Sequence, residues 1–402
     1  MEAVKTVLTH KDTPVMDVAL DATTAGVEAL GAIHDEELVP LGTRLRNGSV
    51  NGQSFQDWWR GRCVPGTRND VKEALEPFGS SFPARLLPRS LSLSLSDHYW
   101  LRPEDKPLAW KDVNFFENDF SEAFGNLLFG KKVDPKDLDF NTPDLTTSGW
   151  QKKRWSNGKG KRVLVKAGSP PYHQEPHNEV MASRLMTRLG IENAGYVPAD
   201  CGGEPLTLCD CFASEKAEFV PALHIFWSGK RRADASDMGH FLRRCRDLNI
   251  PEAGRSLKEM LALDFMIAND DRNYENFGAM RDGDTLRFLG LAPVYDCGTS
   301  LWHDSPEPDS RRAPAKPFKK TQAEQIRLAD DLSRLDFGLV KDADEEFDEL
   351  LADNPLIDEE RRGKLCRALK ERIAILSDIA RGGPGKAPGP SVVSAGVPKE
   401  GR

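Results

Sequence analysis

The chain has 402 residues, 39% of them apolar and 29% charged, with a formal net charge of −8. This mixture excludes a membrane-embedded, collagenous or wholly disordered chain, and the length predicts two or three units of ordinary domain size. The negative balance argues against a duplex DNA-binding module, since such binding rests on neutralising phosphates, but it leaves room for one local phosphate site.

The chain start is polar. Glu2, Asp12, Asp17, Asp21 and Glu28 interrupt any apolar core that a signal peptide would need. No run approaches the ~20 apolar residues that span a bilayer. Residues 1–140 read as an amino-terminal accessory unit of mixed structure. Phe55, Trp58 and Trp59 sit at helical spacing and are expected in a core, and Val71–Leu75 suggests a short helix. Ser90–Leu95 alternates Ser with Leu and predicts a strand with one buried face. Asp134–Leu145 is polar, contains two prolines and reads as a connection.

Residues 141–225 are strand-rich. Asn157-Gly158 marks a hairpin turn, and Arg162–Lys166 is a β-branched strand ending in a lysine. Pro176 then opens a helix over His177–Leu189, and Gly190 ends it. Further strands are expected at Tyr196–Ala199 and Leu206–Phe212. Residues 226–380 are mainly helical. Leu257–Ala268 is apolar nearly all round and predicts a buried helix. Asn269–Asn276 is a polar loop, and Leu286–Leu289 a short strand. Asp304–Pro317 reads as an exposed Pro-rich loop. Two acidic amphipathic helices follow at Glu345–Leu351 and Glu359–Ile379. The last 22 residues hold six Gly and four Pro and read as a disordered tail. The expected class is therefore α+β, with a strand-rich and a helical lobe enclosing a cleft.

The seven cysteines include no C-x-x-C pair, which predicts reduced thiols in a cytoplasmic protein. Cys209 and Cys211 alternate on an expected strand. No His or second Cys pair stands at zinc spacing beside them, so small residues in a sheet are expected there rather than a metal site.

Three polar elements carry the functional argument. Asp271 and Asn276 lie five residues apart in a polar loop after a buried helix, and Asp296 follows a short strand. An Asp in such a loop can accept a hydroxyl proton; the Asn and second Asp offer hard oxygen ligands to a divalent cation. The D-x4-N spacing alone is weak, because Asp264 and Asn269 also satisfy it. Asp264 sits inside the apolar helix and is expected to be a buried, partnered group, so position selects Asp271. Lys166 ends its strand, and Glu179 lies in the first turn of the next helix. Glu179 shares a helix face with Ala182 and Met186, points to the packed side, and needs a cation there, for which Lys166 is the natural partner; Arg188, about half a turn round, is expected to face solvent. An ordinary strand–helix ion pair would give the same pattern. The turn Thr146-Thr-Ser-Gly149-Trp-Gln151-Lys-Lys153 offers hydroxyls, cations and backbone N–H groups to a phosphate. It is not a Walker loop.

In this order the elements resemble the HipA-like serine/threonine kinases, including the CtkA-like branch. Thr146-x-x-Gly149-x-Gln151-x-Lys153 is similar to the family's S-x-x-G-x-Q-x-K phosphate-side loop. Val163–Lys166 resembles its ATP-binding strand, Asn178-Glu179 its partner helix, Asp271–Phe277 its D-x-H-x-K-N-F loop, and Val294–Asp296 its metal-binding segment. The resemblance implies a bilobal kinase-like fold and phosphoryl transfer from Mg²⁺-ATP to protein hydroxyls. It implies Asp271 as base, Asn276 and Asp296 as magnesium ligands, and Lys166 on the ATP phosphates. Thr146 stands at the family's autophosphorylated Ser. The loop departs from the pattern at Asn273 and Glu275. A DNA-binding partner protein is implied by the family, direct DNA or membrane binding is not. A nucleotide-binding pseudokinase acting as an interaction module, and a lipid or small-molecule kinase, remain as alternatives.

Overall fold

The computed structural model describes residues 3–381, apart from 46, 67, 69, 70, 72–82 and 309–312. The helix expected over Val71–Leu75 falls, beyond its first residue, outside these residues. So does the tail after Arg381.

Three antiparallel sheets organise the chain. In the first, β1 (Val4–His10), β2 (Thr13–Leu20), β3 (Val27–Ile33) and β4 (Tyr99–Pro103) stand in the order β3-β2-β1-β4. Helix α1 (Gly52–Gly61) begins at Asn51, whose side chain accepts from the Ser54 N–H. Its Phe55, Trp58 and Trp59 pack on Leu8, Met16 and Val18 of the sheet, as their helical spacing predicts.

The second sheet holds β5 (Lys153–Ser156), β6 (Val163–Ala167), β7 (Tyr196–Cys201) and β8 (Glu204–Asp210) in the order β5-β6-β8-β7. Asn157–Arg162 joins β5 to β6 as expected. Helix α2 (Glu175–Leu189) carries Pro176 in its first turn and ends at Gly190, whose φ of +70° closes the helix in the left-handed conformation. The third sheet, β9 (Ala217–Pro221), β10 (Gly278–Asp282) and β11 (Phe288–Leu291), has the order β11-β10-β9. The β9–β10 ladder crosses residue 225, so β9 belongs structurally with the helical part that follows.

Helices α3 (Asp237–Asp247), α4 (Ala253–Met266), α5 (Ala343–Ala352) and α6 (Glu359–Ala380) complete the fold. Helix α4 is buried along most of its length, in one core with residues of α2, α3, α5 and α6. No helix among the described residues is long and apolar enough to cross a membrane.

Several expectations change. Ser90–Leu95 is not a strand. A 3-10 turn runs over Pro83–Ser90, and Leu91 and Ser92 are left-handed, with φ of +52° and +56°. Ser92 and Ser94 are buried along with Leu93 and Leu95, so the alternation does not separate an inner from an outer face. The hydroxyls find local oxygens, Ser90 donating to the Leu87 carbonyl and Ser94 bonding Ser96. The strand expected over Leu206–Phe212 ends at Asp210, so Cys211 lies just beyond it; the Cys209 and Cys211 thiols are directed at the Ala194 and Leu95 carbonyls, and burial pushes both up to about 12. Arg188 does not face open solvent; it pairs with Glu346 at 3.0 Å and with Asp342.

A buried charge cluster ties the first sheet to the third. Glu218 on β9 accepts from Arg281 on β10 (2.8 Å), from His10 on β1 (3.1 Å) and from the His98 N–H (3.0 Å). His10, His98 and Glu218 place ligand atoms within 4.8 Å of one another. The Arg281 guanidinium already neutralises the carboxylate, which disfavours a cation there. Burial alone would raise the Glu218 carboxyl; Arg281 and the histidines hold it below the usual carboxylate range. Replacing Glu218 by Gln should therefore cost about 3–5 kcal/mol, because Arg281 is left buried without its counter-charge. A lowered urea midpoint checks this.

Candidate functional site

Eight of the nine residues singled out by sequence line one cavity of about 1140 Å³: Thr146, Gly149, Gln151, Lys153, Lys166, Asp271, Asn276 and Asp296. The ninth, Glu179, is fully buried on α2 behind Lys166.

Lys166 is the hinge of the site. Its Nζ lies 2.5 Å from Glu179 Oε1 and 2.5 Å from Asp296 Oδ1. Burial opposes its charge, but Asp296 and Glu179 outweigh it and hold the ammonium well above its ordinary value. Burial pushes the Glu179 carboxyl up against the pull of Lys166, and Glu179 Oε2 accepts the Cys297 N–H at 2.8 Å. Burial acts on Asp296 too, yet Lys166 and Lys153 keep it below the carboxylate range. Asp296 has a φ of +56°. A non-glycine residue is held there only by its surroundings: here its N–H donates to Tyr196 Oη (3.2 Å) and its carboxylate meets Lys166.

Lys153 is the direct cross-strand partner of Lys166 in the β5–β6 register. Two ammonium groups thus share one buried corner, and among the described residues Lys153 has no ion pair. Burial pushes Lys153 down to about 7, against the pull of Asp296. Gly149 has a φ of +85°, and a Cβ there would lie 2.6 Å from Lys153 Nζ. The glycine therefore leaves the space that the lysine occupies.

The loop of residues 147–149 is held from the amino-terminal side. Buried Arg68 donates to the carbonyls of Thr147 (2.5 Å), Ser148 (2.9 Å) and Gly149 (2.9 Å). The N–H groups of Ser148, Gly149 and Trp150 donate to no acceptor among the described residues. Such free N–H groups beside two lysines suit a phosphate. Gln151 Nε2 donates to the Ala167 carbonyl, pinning the loop to β6. The Thr146 hydroxyl donates to the Leu93 (2.7 Å) and Pro143 (3.0 Å) carbonyls.

Asp271 and Asn276 occupy the loop after α4. Asn276 Nδ2 donates to the Asp271 carbonyl at 2.8 Å. This leaves Asn276 Oδ1, like Asp296 Oδ2, without a hydrogen bond among the described residues. Two uncommitted oxygens in the phosphate-side cavity fit a hard divalent cation. Asp271 Oδ1 accepts from Lys316 at 2.8 Å.

Arg272 organises this loop, and sequence reasoning missed it. It is fully buried and grips Asp264 through Nε (3.1 Å) and Nη2 (3.0 Å). Its Nη1 donates to the Asn276 (2.7 Å) and Tyr295 (2.5 Å) carbonyls. Asp264 is thus the buried, partnered group expected. A charged residue one position after Asp271, eight residues beyond a buried Asp, was the available signal. Arg68 and Lys316 were also missed. Neither carries a local signal, since each meets the site from a distant segment.

No family model matches the chain, and no curated protein matches it in sequence. Solved structures do. HipA of Shewanella oneidensis MR-1, determined with HipB and its operator DNA, is 15% identical with a TM-score of 0.56, over 94% of this chain and 99% of that one. The chain has a HipA-like fold. The likeness spans both the first sheet and the cavity-bearing region. CtkA, a proinflammatory kinase of Helicobacter pylori, is 16% identical over 57% of this chain and 92% of its own, with a TM-score of 0.42. The golgi casein kinase is 14% identical over 60% and 71%, with a TM-score of 0.33.

Two tests address this site in the HipA-like fold. Arg272→Met should cost about 3–5 kcal/mol, read by urea unfolding, because Asp264 stays buried without its partner. The second concerns Lys153. A bound phosphate favours its charged form, so binding takes up a proton once the free lysine is neutral. Affinity for Mg²⁺-ATP, measured calorimetrically, should be level below pH 7 and decline as pH rises through 7. Lys153→Met should abolish the decline.

Proposed function

We propose that the chain is an ATP-dependent protein serine/threonine kinase of the HipA type. The observation that carries this reading is the Lys166 bridge between Glu179 and Asp296, in one cavity with Asp271 and Asn276. In this reading the fold is bilobal. Residues 1–140 are an accessory unit, the second sheet with α2 is the small lobe, and the helical large lobe begins at β9.

Mg²⁺-ATP supplies the phosphoryl group and the divalent charge when bound. The protein's own residues do the rest. Lys153, Lys166 and the free N–H groups of residues 148–150 hold the phosphates. Glu179 orients Lys166. Asn276 and Asp296 present oxygens to magnesium, and Asp271 accepts the proton of the substrate hydroxyl. Thr146 is the proposed autophosphorylation site; its hydroxyl must first leave the Leu93 and Pro143 carbonyls. A DNA-binding partner protein is proposed from the HipB and operator DNA of the HipA complex, the acidic chain itself being unsuited to duplex binding. Reduced cysteines favour a cytoplasmic location.

The test is phosphorylation of the chain and of generic protein substrates with Mg²⁺-ATP, read by mass spectrometry. Asp271→Asn should lower the rate about 10²–10⁴-fold, the usual contribution of a general base. ATP-dependent thermal stabilisation without labelling would instead mark a nucleotide-binding pseudokinase. Labelling of lipid vesicles in preference to protein would mark a lipid kinase.

A further inference from the structure

Among the described residues, positive charge at the Asp271 carboxylate has one source. The loop of residues 269–276 contains a single cation, Arg272, and it is fully buried and spent on Asp264 and two carbonyls. Among the described residues, the cation that reaches the Asp271 carboxylate is Lys316, at 2.8 Å. It comes from 45 residues further along the chain.

Lys316 is delivered by a built element. Pro314 and Thr321 form an antiparallel bridge, with the Ala315 N–H on the Lys320 carbonyl and the Gln322 N–H on the Ala313 carbonyl. Buried Gln325 closes the tip: its Nε2 donates to the Lys316 carbonyl (2.7 Å), and its Oε1 accepts from the Phe318 and Lys319 N–H groups. Gln322 donates to the Asn269 carbonyl in the base of the Asp271 loop. Phe318 packs edge-on against Tyr274 of that loop, with ring centroids 5.9 Å apart. The backbone of Lys316 is therefore fixed to the loop it serves. Its side chain remains 55% exposed, at the mouth of the cavity, and so is free to engage a ligand.

We propose that Lys316 is a catalytic residue that binds the terminal phosphoryl group of ATP beside Asp271. This rests on the kinase reading above. In the transfer, the substrate oxygen bonds to the terminal phosphorus while the bond from phosphorus to the ADP oxygen breaks. The hydroxyl proton passes to Asp271. The phosphoryl oxygens carry negative charge through the transfer, and a cation already held beside Asp271 can meet that charge with little reorganisation.

The test compares ATP with ADP. Calorimetry with a non-hydrolysable ATP analogue and with ADP, both with Mg²⁺, reads the contribution of the terminal phosphoryl in the full chain. Lys316→Met should weaken the analogue about tenfold or more, the worth of a hydrogen bond between charged groups, and leave ADP unchanged. Lys316→Arg should keep most of the discrimination. Turnover of Lys316→Met should fall as well, with its melting temperature unchanged, because the side chain is half-exposed. Equal loss for both nucleotides, no change for either, or a gain in analogue affinity would overturn the proposal. Wild type that binds and turns over ATP while Lys316→Met shows no altered discrimination removes Lys316 alone. Wild type that binds neither nucleotide removes the kinase reading with it.

Discussion

The Asp264–Arg272 ion pair holds the centre of this structure together. Both groups are fully buried. Burying two charges is costly unless every polar atom finds a partner. Here the fit is dense. The carboxylate takes Arg272 and Asn269, while the guanidinium also takes the carbonyls of Asn276 and Tyr295. One side chain thus joins the end of α4, the Asp271 loop and the strand exit that leads to Asp296. A lysine could not do this, since it lacks the planar fork that reaches three directions at once.

Charge balance explains the rest of the cavity. Asp296 and Glu179 both bond Lys166, while Lys153 stands opposite Lys166 with no ion pair among the described residues. Burial pushes its ammonium down to about 7, against the pull of Asp296. An anion that enters the cavity favours the charged form of Lys153. Residues 148–150 add, on the same side, N–H groups that have no acceptor among the described residues. Arg68 draws the carbonyls of residues 147–149 the other way, so the amino-terminal region shapes this loop from outside the cavity.

Much of this was legible in the sequence. Helical periodicity turned Glu179 inward and named Lys166 as its partner, because both facts depend on short-range geometry. The choice of Asp271 over Asp264 followed from the apolar helix around Asp264. The reading failed where local pattern and burial part company. Ser90–Leu95 alternates like a strand, yet the chain around it buries both faces and its serines bond to the adjacent turn. The segment at 304–317 was read as a plain exposed loop, and its Pro and Lys content gives no hint of a hairpin seated on another loop.

The sequence by itself determined the elements and the chemistry they carry: β6 ending in a cation, α2 with its inward acid, the polar loop after a buried helix. These follow from periods of 2 and 3.6 residues and from capping, which act over a few residues. Tertiary structure alone decided which distant groups meet. Arg68 reaches the turn 79–81 residues later, Glu218 spans two sheets, and Lys316 returns 45 residues to Asp271. Such pairings depend on how layers pack and on which buried charges remain unpaired, and neither quantity is encoded in spacing along the chain.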